Sequence, residues 1–155
     1  RRQRQMCIRD RDYTADRYAG YECAIEDAGI PMDPTLVIQA ENSVEGGCSA
    51  AKKLLATTRC TAIFCATDTM AIGVCKAAAE MGLRVPEDFS LAGFDGLGHH
   101  LLCTPHVTTV RQPVYEIGER LAKTLLDRLD GSQKRICELV VPEVVEGQSV
   151  ETVPR

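Results

Sequence analysis

Two rhythms of apolar and polar positions run along the chain. TAIFCA (Thr61–Ala66) and FSLAGF (Phe89–Phe94) are short, nearly continuous apolar runs of strand length. Between them Met70, Ile72, Val74, Ala77, Ala78 and Met81 recur at roughly helical spacing, and Gly82 stands where a left-handed residue would end the helix. Strand, helix, strand at this spacing predicts a βαβ unit, hence a parallel sheet with a right-handed crossover. Functional groups of such sheets gather at the carboxyl ends of the strands. Those ends read Ala66-Thr67-Asp68 and Gly93-Phe94-Asp95.

The same patterns extend on both sides. Tyr18, Tyr21, Ala24, Ile25 and Ala28 make one apolar helical face, capped by Asp12 or Thr14 and ended by Gly29-Ile30-Pro31. Leu36–Ala40 (LVIQA) reads as a short strand. A helix over Val44–Ala56 follows, with Gly46-Gly47 in its first turn marking close backbone approach to a neighbour or a ligand. After Phe94 a loop with one helical turn leads to the β-branched run Val107–Val110. Pro113 then opens a helix with the stripe Val114, Ile117, Leu121, Leu125 and Leu129, closed by Gly131. Ile136–Val141 (ICELVV) reads as a last strand, and the tail from Glu146 as polar and loose.

Composition narrows the class. At 155 residues and 45% hydrophobic content the chain suits one α/β domain. No apolar run approaches the roughly eighteen residues of a membrane helix, and no signal-like apolar region is seen, so neither a membrane span nor export is expected. A formal charge of −4 and a pI near 5.4 argue against a nucleic-acid surface on this stretch. Of the eight cysteines no two are spaced C-x-x-C, and several fall in apolar runs, which fits small buried thiols in a reducing cytoplasm.

Arg1–Asp10 (RRQRQMCIRD) departs from the rest: four arginines and no period. It resembles, codon by codon, the translation of a transposon-based sequencing adapter, with Arg11 completing the match. Residues 1–11 are therefore expected to lie outside the gene and the fold, in a protein truncated at its N-terminus. Setting aside the four arginines and Asp10 moves the charge from −4 to −7.

From Thr61 onward the phrasing is similar to that of LacI/GalR-type transcriptional regulators. The phrases are TDTMAIG (Thr67–Gly73), GLRVPEDFSLAGFDG (Gly82–Gly96) and TPHVTTVRQP (Thr104–Pro113), with DRYAGYECAIEDAGI (Asp16–Ile30) before them and IGERLAKTLLDRLDG (Ile117–Gly131) after. The resemblance implies an α/β fold: the parallel-sheet, Rossmann-like lobe of a two-lobed, periplasmic-binding-protein-like core. Residues 12–109 would form the C-terminal lobe with its first strand missing, and residues 110–155 the crossover and the terminal helix and strand of the N-terminal lobe. A helix-turn-helix that touches operator DNA would precede the chain.

The resemblance also implies a site. Arg17 matches the arginine of R-x-x-G-[YFW], whose rigid fork suits hydroxyls and carboxylates. Asp95 matches the aspartate of G-[FY]-D-D, an acceptor for adjacent sugar hydroxyls. Read without the family, Arg17 is a solvated helix residue and Asp95 a loop cap. Thr67 stands where asparagine is usual and reads equally as the cap of the following helix. Asn42 replaces a stacking aromatic, Gln112 matches a polar crossover position, and Gly96 replaces a frequent second aspartate. Ile72, Lys76, His99, Leu102 and Cys103 are expected at a homodimer interface. The implied function is sensing a small ligand, a sugar above all, by a bacterial regulator without cofactor.

Three other classes fit the pattern less well. A sugar-binding receptor of a transport system shares the fold. An enzyme would need a nucleophile and base brought together, and no such motif is visible. A metal site at His99, His100 or His106 lacks ligand spacing, and neighbouring histidines point apart.

Overall fold

The computed structural model describes residues 3–7, 12–131 and 137–152. Its elements are β1 (Gln3–Cys7), α1 (Asp12–Asp27), β2 (Ile38–Gln39), α2 (Val44–Thr57), β3 (Ala62–Cys65), α3 (Asp68–Glu80), β4 (Ser90–Asp95), β5 (Thr108–Arg111), α4 (Val114–Leu129) and β6 (Glu143–Val145). The strands form one sheet in the order β2-β1-β3-β4-β5-β6, parallel except for the antiparallel β5–β6 pair. The expected βαβ unit is present, with Ala62, Ile63 and Phe64 opposite Ser90, Leu91 and Ala92.

Alternation along the strands sorts the side chains. Ile63 and Cys65 are buried with Leu91 beneath α2 and α3, among Ala51, Leu54, Met70, Val74 and Ala77. The two helices cross at backbone contact. A Cβ at Gly47 would run into the backbone of Met70, and one at Gly73 into that of Val44. The close approach expected at Gly46-Gly47 is thus to protein neighbours, α3 for Gly47 and the Glu41 carbonyl for Gly46. Ser43 caps α2 by accepting the Gly46 N–H at 2.9 Å.

Four expectations change. First, the sheet does not lack its first strand. The segment set apart for its composition, Gln3–Cys7, lies between β2 and β3, with Arg4 opposite Ile63 and Met6 opposite both Cys65 and Ile38. The slot demands an extended backbone whose N–H and C=O groups complete two ladders, and that demand is blind to side-chain pattern. Second, LVIQA is only partly a strand. Asp33 accepts the Thr35 N–H at 3.0 Å, Pro34 sets the first φ, and Pro34–Leu36 forms a 3-10 turn that buries Leu36.

Third, ICELVV is not a strand: residues 137–142 carry no regular structure, with Leu139 and Val141 exposed, while Ile136 lies outside the described residues. The edge of β5 is taken instead by Glu143–Val145, fastened by an Arg111–Glu143 ion pair. Residues 143–152 therefore return to this sheet. Fourth, the tail is tied down. Ser149 is fully buried, its carbonyl accepts the Leu91 N–H at 2.7 Å, and its Oγ accepts the Thr108 N–H at 2.8 Å. The Glu151 N–H donates to Ser90 Oγ at 3.1 Å.

The α4 stripe behaves differently from every other apolar face. No residue of α4 is buried; Leu121, Leu125 and Leu129 are exposed, Leu121 at 65%, and Ile117 is half-buried. Each such side chain left in water forgoes about 1.5–3 kcal/mol. The 155-residue chain is expected to self-associate or to melt without cooperativity. Replacing Leu121→Lys and Leu125→Glu together should reduce association, read by analytical ultracentrifugation, while changing stability by no more than about 0.5 kcal/mol per site. A sharp melt from a wild-type monomer would contradict this account.

Candidate functional site

Three residues far apart in sequence meet at the carboxyl ends of β3, β4 and β5. Arg17, on the second turn of α1, places Nη2 3.0 Å from Asp95 Oδ1, and the pair is largely shielded, with side chains 11% and 22% exposed. Gln112, just after β5, donates Nε2–H to the same Oδ1 at 2.8 Å. Arg17 Nη1 also donates to the Ala66 carbonyl at the end of β3, and its guanidinium carbon lies 3.9 Å above the centre of the Phe94 ring. Arg17 is therefore held in position, contrary to the solvated-helix reading, and Asp95 reaches beyond its own loop.

The other two expected residues form a separate pair. Thr67 is 2% exposed; its hydroxyl donates to Asn42 Oδ1 at 2.7 Å and accepts the Met70 N–H at 3.3 Å, capping α3. The cap reading of Thr67 is realised, and the hydroxyl is committed to internal partners. Asn42, exposed ahead of α2, tethers that helix's entry to the end of β3.

The residue that organises the site is Asp68, which the sequence placed only at the end of a strand. It is 1% exposed. Oδ1 accepts the Thr109 hydroxyl at 2.6 Å and Oδ2 accepts the Gly96 N–H at 2.9 Å. Only glycine at position 93 lets this carboxylate pass, because a Cβ there would strike Asp68 Oδ1. With Gly96 pinned from below, Asp95 sits at φ 120°, sparsely populated for a residue with a side chain. The Gln112 N–H donates to the Asp95 carbonyl at 3.0 Å, fixing the same residue from the other side. The strained backbone aims the Asp95 carboxylate at Arg17 and Gln112. Phe94, half-buried beneath Arg17, was likewise not singled out in advance.

Burial raises the pKa of Asp68 above the ordinary carboxylate range, opposed by the hydrogen bonds from Thr109 and Gly96. His100 is buried beside it, with Nδ1 3.7 Å from Oδ2, too far for a hydrogen bond. Among the described residues no group of three His, Cys, Asp or Glu side chains could hold a metal ion, and no helix is long and apolar enough to cross a membrane.

A cavity of about 850 Å³ lies elsewhere on the sheet, running beneath α1 along the face carrying Ala62, Phe64, Ala92 and Phe94 and meeting the strand-end cluster at Arg17. Its walls are mainly apolar. The converging polar groups, and not this groove, mark the candidate site.

Of the residues expected at a dimer interface, Lys76, His99 and Leu102 are exposed, Leu102 at 71%, and Ile72 is half-buried. Cys103 differs. It is buried in the core, because the 3-10 turn His99–Leu102 ends there and points its side chain back toward α3.

Known proteins resemble this chain in sequence and fold. Residues 2–150 match the model of the periplasmic binding protein-like domain family. The HTH-type transcriptional repressor PurR of Escherichia fergusonii is 38% identical over 147 residues, covering 94% of this chain and 43% of that protein. The transcriptional regulator CelR in complex with cellobiose has a TM-score of 0.88 at 29% identity, covering 96% of this chain and 46% of that one. The repressor ascG of Escherichia coli has a TM-score of 0.88 at 26% identity, over 96% and 55% of the two chains. A LacI family regulator from Enterococcus faecium with bound ribose scores 0.86 at 27% identity, over 95% and 55%. This chain thus spans about half the length of the proteins it matches.

Substituting Asp68→Asn turns one acceptor into a donor facing the Gly96 N–H, and should cost about 1–3 kcal/mol in urea denaturation. A carboxyl whose pKa is raised by folding contributes stability that is present below its unfolded value, about 3.9, and lost as pH rises through the folded value. The advantage of wild type over Asp68→Asn should therefore shrink from about pH 4 upward. An advantage that grows over that range would overturn the assignment.

Proposed function

The chain belongs to the periplasmic binding protein-like domain family, in the form found in LacI/GalR-type regulators, and from that premise we propose that it is the effector-sensing part of a DNA-binding transcriptional repressor. The effector is a small polyhydroxylated molecule, a sugar, held at the strand ends by Arg17, Asp95 and Gln112. One observation carries this reading: two donor side chains from different elements converge on a single strained carboxylate. A carboxylate with spare lone pairs beside a guanidinium and an amide matches adjacent hydroxyls, which both donate and accept. Cellobiose and ribose, held by two of the similar proteins, support the sugar class.

Binding, without turnover, is the activity. Asp95, Arg17 and Gln112 hold one another, and each offers hydrogen bonds instead of a nucleophile. The similarity to repressors supports the regulator over a transport receptor.

In the whole protein, α4 with its apolar stripe belongs to the N-terminal lobe. The remainder up to Gln112, with residues 143–152, forms the C-terminal lobe, and the effector lies between the two. Closure of the lobes on the ligand changes their relative arrangement, which an N-terminal helix-turn-helix converts into operator affinity. A homodimer forms through α3 at Ile72 and Lys76 and through the turn carrying His99 and Leu102, giving the two-fold symmetry of a near-palindromic operator.

The test is a thermal-shift screen of mono- and disaccharides, with purine bases as the competing class. A sugar that stabilises wild type should bind Asp95→Ala about ten- to a hundredfold more weakly, as loss of a charged hydrogen bond worth about 1.5–3 kcal/mol requires. Equal stabilisation of both proteins removes Asp95 from the site. A response to purine bases alone replaces the sugar.

A further inference from the structure

One buried polar group takes no part in the strand-end network. His100, in the turn His99–Leu102, is 8% exposed, and among the described residues its Nδ1 is the buried side-chain nitrogen or oxygen without a protein partner. Leaving such an atom unpaired is costly. It faces Asp68 Oδ2 at 3.7 Å, about 0.8 Å beyond an ordinary N–H···O contact. That oxygen accepts the Gly96 N–H at 2.9 Å and has a second lone pair to offer, while Oδ1 is taken by the Thr109 hydroxyl. Both oxygens accept, which is the pattern of an ionised carboxylate. An imidazole lone pair turned toward that charge would be repelled, so Nδ1 is the ring nitrogen that carries the proton.

We propose that His100 is a positioning residue whose Nδ1–H closes on Asp68 Oδ2, making the turn His99–Leu102 a latch between α3 and the strand-end site. The arrangement with the 3.7 Å gap is the open one of two positions. The turn is built for the small movement between them. Gly98, which precedes it, sits at φ 97° with nothing within 4 Å of where a Cβ would stand, so the backbone can rotate there without a clash. On the far side the His100 carbonyl accepts the Val107 N–H at 3.0 Å, which keeps the turn attached to the chain entering β5 while the imidazole advances.

With the latch closed, Oδ2 receives the Gly96 N–H and the His100 Nδ1–H together. One oxygen atom then joins the loop that holds Asp95 at φ 120° to the turn that exposes Leu101 and Leu102. A ligand that shifts Asp95 and Gly96 is registered by the turn through that oxygen, which couples the strand ends to an apolar surface patch. This consequence rests on the effector-sensing reading, whereas the latch rests on His100, Asp68 and Gly98 alone.

The experiment follows amide hydrogen exchange by mass spectrometry over residues 94–103 of the 155-residue chain, without any sugar. Wild type is compared with His100→Asn, whose side-chain amide stands near the place of Nδ1, and with His100→Leu, similar in bulk but without a donor. Wild type and His100→Asn should exchange alike, and His100→Leu roughly three- to tenfold faster, the range that one net hydrogen bond allows. Equal protection in His100→Leu shows a side chain that only fills space and overturns the proposal. Loss of protection in His100→Asn, with peptides across β3 unchanged, overturns it as well. A measurement on wild type decides the matter even where a variant loosens as a whole. In protein labelled with 15N-histidine, His100 should carry its proton on Nδ1, and a proton confined to Nε2 removes the donor that the latch requires. The sugar screen and this series are independent, so failure of one leaves the result of the other standing.

Discussion

A single buried carboxylate sets the geometry on which the rest of this molecule depends. Burying an unpaired carboxylate is strongly unfavourable, so Asp68 is tolerated only because both oxygens receive hydrogen bonds. Those bonds come from β5, through Thr109, and from the loop after β4, through Gly96. The carboxylate at the start of α3 thereby connects three consecutive parallel strands at their carboxyl ends. The glycines around it are consequences: Gly93 gives it passage, and Gly96, at φ 66°, packs against Arg111 where no side chain would fit. The strained Asp95 backbone follows in turn, held by Asp68 on one side and the Gln112 N–H on the other.

A second constraint is completion of the hydrogen-bond ladder. Interior strands need partners on both sides, and the sheet obtains them without regard to composition. Gln3–Cys7, polar over its first three residues and without apolar alternation, fills the slot between β2 and β3. At the opposite side Ser149 continues past the start of β5 and captures the Leu91 N–H that β5 does not reach. One face of this sheet is a dense layer of α2 and α3, while α1 covers the other only in part and leaves the long apolar groove. Against this closed unit α4 stands apart, with a regular apolar stripe and no described surface to receive it.

The site was legible to different depths. Arg17, Asp95 and Gln112 were named through the family resemblance, and they do come together. No periodicity could have joined residues 17, 95 and 112, because their proximity is a product of the parallel crossovers. Thr67 and Asn42 bond to each other, since a short hydroxyl at the cap position is satisfied locally before it can reach outward. Asp68 and Phe94 went unranked although they stand beside named residues. A buried aspartate at a helix start looks in sequence like any solvent-exposed first-turn acid, and only its 1% exposure distinguishes it. Cys103 was assigned outward from its neighbourhood, and one residue's phase in a short turn sends it inward.

By itself the sequence determined the βαβ core, the helices and the class of fold, because those depend on local periodicity and on where glycine and proline interrupt it. It also determined the amphipathic stripe of α4 and, through recognisable phrases, the identity of the polar groups at the strand ends. Only the tertiary structure decided that residues 3–7 are a strand, that the last strand is Glu143–Val145 and not ICELVV, and that the tail is anchored. Each of these turns on which backbone groups lacked a partner, a property of the assembled sheet that no window of sequence contains. The same holds for Asp68: its charge is local, and its cost and its compensation exist only once β4 and β5 have been laid beside it.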